Sequence, residues 1–357
     1  MKNQKKVKAV RIFLIALLFV AAVVSSVAIY FGFYGKNTVN ASEDALEEPE
    51  TVKTVVQTMA QGAAGETLST QESSEKWQEG TVIYDGRAYS YKDSVKNYLF
   101  MGIDNEDIAR EAEDGLSGGQ SDAMFLLSID SQNEKISVIA INRNTMVPID
   151  VYDEDGNFLG QMPLQICLQH GYGDGLKLSC SRSVEAVRRL LDNIPISGYV
   201  SLNMGGIPAM NDAIGGIELT PIQDVSFKGI TIKRGVPINL NGRQAYAYLR
   251  ARDIDEFGSS DKRLKRQIQY ITAYLEKLMR DTSKASTIYT EVSDYLVTSL
   301  DLVKLINSTK NMSFSEKDMI SIPGATVLNG EYEEYYVNEE SLREIIMDVF
   351  YEPVEDK

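Results

Sequence analysis

Between Tyr248 and Gln267 the chain reads YLRARDIDEFGSSDKRLKRQ, which sets Arg250, Arg252, Arg263 and Arg266 beside Gln267 in an otherwise acidic protein. Arg250 and Arg252 are two residues apart, a spacing that puts them on one face of an extended chain. Arg263, Arg266 and Gln267 stand at i, i+3 and i+4, a spacing that puts them on one face of a helix. Forked guanidinium groups converging from two elements suit a pyrophosphate, because each fork grips two oxygens at once. The competing reading is a solvated charged helix face, neutralised by Asp253, Asp255, Glu256 and Asp261.

The elements that must hold these residues follow from hydropathy and turn chemistry. TVIYDGRAYSY, from residue 81, predicts a hairpin turning at Asp85-Gly86. Near-continuous apolar runs over 97–103, 123–129 and 136–141 predict strands buried on both faces. A polar, Gly-rich loop separates the first two, with Asp104 at one end and Asp122 at the other. Apolar spacing predicts a helix over 181–192, with Val184, Val187, Leu190 and Leu191 inward. A short strand over 198–202 and a short helix over 207–214 follow, the helix stopped by Gly215-Gly216. Helices are expected over 242–250 and 261–280, the second amphipathic through Leu264, Ile268, Ile271, Leu275 and Leu278. Further helices are expected at 292–300, 302–312 and 340–350, with a strand at 319–322. Helices interleaved with strands argue an α/β layered domain.

The chain of 357 residues carries a net charge of -15, nearly all of it beyond residue 80. That acidity opposes binding to duplex DNA. Five basic residues and no acidic one occupy positions 1–11, and 23 uncharged, largely apolar residues follow over 12–34. That length spans a bilayer as a helix. The charge order predicts a cytoplasmic tail at 1–11, a single membrane anchor at 12–34 and everything after it outside the cell. A cleaved signal peptide is the rival, opposed by the length of the apolar run. Residues 35–80 are polar and almost free of aromatics, so they read as a flexible extracytoplasmic linker. Residues 81–357 then form the folded domain. Cys167 and Cys180, outside the cell, are expected to pair, closing a loop worth about 3 kcal/mol. His170 is the only histidine, so a zinc site is disfavoured and it reads as a surface or packing residue.

Several blocks, in order, resemble the LytR-CpsA-Psr family of cell-wall enzymes. They are Gly102-Ile103-Asp104, Gly119-Gln120-Ser121-Asp122-Ala123-Met124, Asn142-Arg143-Asn144-Thr145, Gly215-Gly216, Leu240 to Ala245, and the arginine block. The resemblance implies a three-layer α/β/α fold with a central mixed sheet and an apolar tunnel for a lipid tail. It implies a phosphotransferase on the outer face of a Gram-positive type membrane. Such an enzyme takes an anionic glycopolymer, such as teichoic acid or capsule, from a polyprenyl-pyrophosphate carrier and attaches it to peptidoglycan. Asp104 and Asp122 match the family's magnesium ligands, and hard carboxylate oxygens suit Mg²⁺. Arg143, Arg250, Arg252, Arg263 and Gln267 match its pyrophosphate contacts, and Arg266 falls in the same motif. Asp122, Arg143 and Arg263 are the residues expected to carry the chemistry. Turn capping by the two aspartates and a surface salt bridge at Arg143 are the plainer readings.

Three positions depart from the family pattern: Glu106 and Gln120 stand where it has arginines, and Asn144 where it has aspartate. Each lost charge-assisted contact costs about 1.5–3 kcal/mol of binding, with Lys262 or Lys265 as possible replacements. Asp253, Asp255 and Asp261 are the candidates for a general base. Ile207, Met210, Ile214, Phe125 and Leu127 are candidates to line the tunnel, with core packing the alternative for each. The departures also admit a lipid-pyrophosphate hydrolase or a non-catalytic wall-polymer or carrier-binding protein. A transcription-regulator reading, a label this family has carried, is opposed by the exported topology and the acidity.

Overall fold

The computed structural model describes residues 81–354, apart from 113–117, 154, 254–255 and 331. These residues fall in the unit Glu75–Lys357. The expected tail (1–11), membrane helix (12–34) and linker (35–80) lie outside the described residues, as does Asp255. Among the described residues no helix is long and apolar enough to cross a membrane.

Along Val95–Ile103 every second side chain is buried, the alternation of a pleated strand. This strand (β1) joins Ser121–Asp130 (β2), Lys135–Ile141 (β3), Gly198–Asn203 (β4), Leu296–Thr298 (β5) and Met319–Ser321 (β6) in one sheet, ordered β5-β4-β1-β2-β3-β6. The pairs β1–β2, β2–β3 and β4–β5 are antiparallel, while β1–β4 and β3–β6 are parallel. The helices are Lys177–Leu190 (α1), Ile207–Ala213 (α2), Gly242–Arg250 (α3), Ser259–Arg280 (α4), Ala285–Val292 (α5), Leu302–Ser308 (α6) and Glu339–Phe350 (α7). On one face of the sheet Leu99, Met101, Leu126 and Ile139 pack on Ala186, Val187 and Leu190 of α1 and Leu342 and Ile346 of α7. On the other, Phe100, Phe125 and Val138 meet Leu264, Ile268 and Leu275 of α4 and Leu305 of α6. Helices therefore cover both faces of a central mixed sheet, each fully buried Leu or Ile contributing about 1.5–3 kcal/mol.

Two expectations fail here. The helix expected at 292–300 is instead the end of α5, a 3-10 turn at Ser293–Tyr295 and the edge strand β5. A short apolar run fits both periods, and the open edge of β4 settles it by pairing Leu296–Thr298. Cys167 and Cys180 do not pair; both are buried free thiols. Their sulfurs face different neighbours, Cys167 Sγ lying 4.0 Å from Gln120 Oε1 and Cys180 Sγ 4.0 Å from His170 Nε2. Burial pushes the two thiols up to about 11 and about 12 respectively. His170 is a packing residue rather than a surface one: it is fully buried, its Nδ1 lies 3.1 Å from the Gly119 carbonyl, and burial lowers its pKa.

Several hairpins have no counterpart in the sequence reading, two of them long. Met146–Tyr152 pairs with Phe158–Gln165, and Gly324–Asn329 with Tyr332–Val337. The second, from the C-terminal region, docks on the loop after β3, where the Tyr335 N–H donates to the Asn144 carbonyl at 2.8 Å.

Candidate active site

The site begins at a defect in the sheet. Gly102 of β1 pairs with Ala123 of β2, but Ile103 pairs with Ser121, so Asp122 is the extra residue of a β-bulge. A bulge re-aims the side chain at the end of a strand. The adjoining loop is held against it: Gln120 N–H donates to Asp104 Oδ1 at 2.7 Å, and Asp104 N–H to the Gln120 carbonyl at 3.0 Å. Gly119 sits in this turn at φ +78°, and a Cβ there would lie 2.8 Å from Ile103 Cγ2, so only glycine fits.

Three arginines close on the Asp122 carboxylate. Arg143 Nε lies 2.7 Å from Oδ1, Arg263 Nη1 2.8 Å from Oδ2 and Arg250 Nη1 3.1 Å from Oδ2. Gln267 Nε2 reaches the Asp122 carbonyl at 3.5 Å. Arg263 and Asp122 are buried, at 3% and 6% exposure. Among the described residues, Arg263 Nη2 and Arg143 Nε are buried donors with no hydrogen-bond acceptor; the Arg143–Asp122 contact is an ion pair whose N–H is not aligned on the carboxylate. Buried donors left over in this way mark a place for an anion's oxygens.

Of the residues expected at the site, Asp104, Asp122, Arg143, Arg250, Arg263 and Gln267 are thus brought together. Arg252 and Arg266 are directed elsewhere. Arg250 is the last residue of α3, so the extended face expected for Arg250 and Arg252 does not form. Arg252 Nε donates instead to Ser259 Oγ at 2.9 Å, and its Nη2 lies 3.4 Å from Glu333 Oε2. On α4, positions 266 and 267 are about 100° apart. Gln267 follows Arg263 toward Asp122, while Arg266 turns to the end of α3, donating to the carbonyls of Tyr248 (2.8 Å) and Ala251 and to Gln223. These contacts clasp the C-terminus of α3 to α4, with Asn241 and Gln244 forming a capping box at its other end. Arg266→Ala is expected to destabilise the fold by about 3 kcal/mol, read as a lowered urea midpoint.

The departures have partners too. Arg143 donates to the Gln120 side-chain oxygen and, at 3.2 Å, to Asn144 Oδ1. Glu106 accepts from Tyr246 OH at 2.6 Å and Lys228 Nζ at 3.1 Å. Lys262 pairs with Glu256. Asp261, a candidate base, accepts from Asn142 at 2.7 Å and Thr326 at 2.8 Å. Glu333, which the sequence did not single out, reaches both Arg252 and Asn144 from the C-terminal hairpin.

The two aspartates titrate in opposite directions. Burial pushes the Asp122 carboxyl up, but Arg263, Arg143 and Arg250 outweigh it and hold the group below its usual range. Burial raises Asp104; the Gln120 N–H opposes this and the charge of Asp122 adds to it. Asp122 therefore contributes stability that is present above 3.8 and lost as pH falls through its lower folded value. Asp104, raised, contributes stability that is present below 3.8 and lost as pH rises through its folded value. In metal-free buffer at neutral pH, Asp104→Asn is expected to be more stable than the wild type, its amide oxygen replacing the carboxylate oxygen that accepts from the Gln120 N–H. Urea unfolding checks this.

Beside the cluster runs an apolar cavity of about 250 Å³ between the sheet and α2–α6. Phe125, Leu127, Ile207 and Met210 line it as anticipated, whereas Ile214 belongs to the core around Tyr248 and Tyr270. Ala123, Gly102 and Gln267 line it as well, so its wall meets the arginine site. Arg252, Lys262 and Arg266 border a separate polar groove of about 750 Å³.

The LytR_cpsA_psr family model matches residues 29–348. The chain belongs to that family. The polyisoprenyl-teichoic acid–peptidoglycan teichoic acid transferase TagU of Enterococcus faecalis is 27% identical over 251 residues, covering 69% of this chain and 76% of the relative. The crystal structure of TagV of Bacillus subtilis has the same fold, with a TM-score of 0.57 at 23% identity over 72% of this chain and 96% of the other. TagT solved bound to LI-WTA gives a TM-score of 0.53 at 20% identity, covering 72% and 90%. The central mixed sheet of the LytR_cpsA_psr fold is therefore the frame that carries Asp104 and Asp122.

Proposed function

We propose that this LytR_cpsA_psr protein is a membrane-anchored, extracytoplasmic phosphotransferase that moves an anionic glycopolymer from a polyprenyl-pyrophosphate carrier to peptidoglycan. One observation carries the proposal: an apolar cavity abuts buried guanidinium groups that retain donors without acceptors. The cavity suits an isoprenoid chain and the guanidinium forks suit the pyrophosphate attached to it. The relatives' names, polyisoprenyl-teichoic acid–peptidoglycan teichoic acid transferase, agree with the isoprenoid chain.

In the transfer, an acceptor hydroxyl attacks the sugar-linked phosphorus. The new P–O bond forms, the pyrophosphate bridge breaks, polyprenyl phosphate leaves and the hydroxyl proton is released. Arg263 Nη2 is placed to donate to a phosphate oxygen as charge builds on it, with the Arg143 guanidinium beside it. Asp122 fixes those two forks and Arg250 in a common orientation. Asp104 and Asp122 are the residues that would hold Mg²⁺: their hard carboxylate oxygens stand at the adjoining ends of β1 and β2, and such an ion completes its shell with water and phosphate. When bound there, Mg²⁺ would offset charge on the phosphates.

The test incubates the protein with a polyprenyl-pyrophosphate-linked saccharide, peptidoglycan fragments and Mg²⁺, with products read by mass spectrometry. A phosphodiester-linked saccharide on peptidoglycan is the expected product. Polyprenyl phosphate released without transfer would identify a hydrolase, and carrier binding without turnover a binding protein.

A further inference from the structure

Asn144 stands between two opposite charges. Its Oδ1 accepts from Arg143 Nη1 at 3.2 Å, and its Nδ2 lies 3.3 Å from Glu333 Oε2. Only an amide satisfies both neighbours, since it accepts on one side and donates on the other. An aspartate there would set two carboxylates against each other. The Glu333 side chain is buried, and it is fully engaged: Oε1 accepts from the N–H of Gly258, the residue preceding α4, at 2.7 Å, and Oε2 also faces Arg252 Nη2 at 3.4 Å. The hairpin that carries Glu333 is itself fixed to the site. Tyr335 N–H donates to the Asn144 carbonyl at 2.8 Å, Gln165 Nε2 to the Glu333 carbonyl at 2.6 Å and Thr326 to Asp261.

From this geometry we propose that Glu333 is a positioning residue, supplying from the C-terminal hairpin the carboxylate that position 144 lacks. It orients Arg252 directly and Arg143 through the Asn144 amide. The two positions form a matched pair, amide at 144 with carboxylate at 333, and the asparagine is required by the glutamate. This gives the C-terminal region a role in the site. The inference rests on the reading of the arginines as anion ligands, but not on transfer itself.

The test measures binding of farnesyl pyrophosphate, with Mg²⁺, by calorimetry, alongside transfer kinetics and thermal midpoints. The proteins are wild type, Glu333→Gln, Asn144→Asp and the double variant. Each single change is expected to weaken binding about tenfold: Glu333→Gln removes the carboxylate to which the Asn144 amide donates, and Asn144→Asp sets two carboxylates against each other. In the double variant the amide now at position 333 donates to the carboxylate now at position 144. Glu333→Gln should therefore improve affinity in the Asn144→Asp background while harming it in the wild type. A merely structural role lowers the thermal midpoint but does not produce that reversal of sign. Should Glu333→Gln fail to fold, Glu333→Asp, which keeps the charge but shortens the reach, is expected to bind with intermediate affinity. Wild-type affinity in Glu333→Gln, or a double variant no better than Asn144→Asp, overturns the pairing. If wild type binds the probe and the variants behave as expected, yet no transfer occurs, the transferase reading fails and the Glu333 assignment stands.

Discussion

Replacing Asp122 by alanine is expected to destabilise the fold by about 3–5 kcal/mol and to abolish polymer transfer. The size follows from what remains. Arg143, Arg250 and Arg263 all lie within 3.1 Å of the carboxylate that is removed. Arg263 is almost fully buried, and its guanidinium is already pushed toward losing charge, first by burial and also by Arg143. Without Asp122 those like charges face each other in a region of poor solvation. Asp122→Asn keeps the volume but loses the charge, so it should sit between alanine and wild type. An added polyanion gives the sharper signature. Inorganic pyrophosphate can stand where the carboxylate stood, and should raise the thermal midpoint of Asp122→Ala by more than it raises that of the wild type. An alanine variant within about 1 kcal/mol of wild type, a size usual for surface changes, would show that the carboxylate does not hold the arginines.

What the sequence could show was local. The helix expected over 242–250 forms with those bounds as α3, its start held by the Asn241–Gln244 capping box. Arg263 and Gln267 were legible because a four-residue spacing on an amphipathic helix fixes a common face. The bulge at Asp122 was not, because it is a property of register between β1 and β2 rather than of either strand. Arg252 and Arg266 illustrate the same limit: the chain leaves the helix at Ala251, and that turn decides which carbonyls and carboxylates they meet. Glu333 lies 189 residues from Asn144, in a hairpin with no distinguishing motif. The one available signal was indirect. It was the asparagine at 144 itself, at a position where the sequence resemblance leads one to expect an aspartate.

The second large effect is expected at Arg263, and the informative change is to lysine. Lysine keeps a positive charge near Asp122, so Arg263→Lys should fold with a stability loss of about 1 kcal/mol, typical of a single substitution. It cannot keep the fork. The guanidinium commits Nη1 to Asp122 at 2.8 Å and leaves Nη2 as a buried donor without an acceptor. A single ammonium held by Asp122 presents no second, rigidly aligned N–H to a phosphate oxygen. If Nη2 meets the transferring phosphate, kcat should fall about 100- to 1000-fold, the usual cost of one preorganised donor to a developing oxyanion. KM for the carrier should change less, because the cavity and the other arginines still bind the ground state. Arg263→Ala should lose the same rate and also destabilise the fold by leaving Asp122 with one partner fewer. A lysine variant that turns over at the wild-type rate would mean that Nη2 does not touch the reacting phosphate. Arg263 would then serve only to neutralise Asp122, and Arg143 would be left as the principal phosphate ligand.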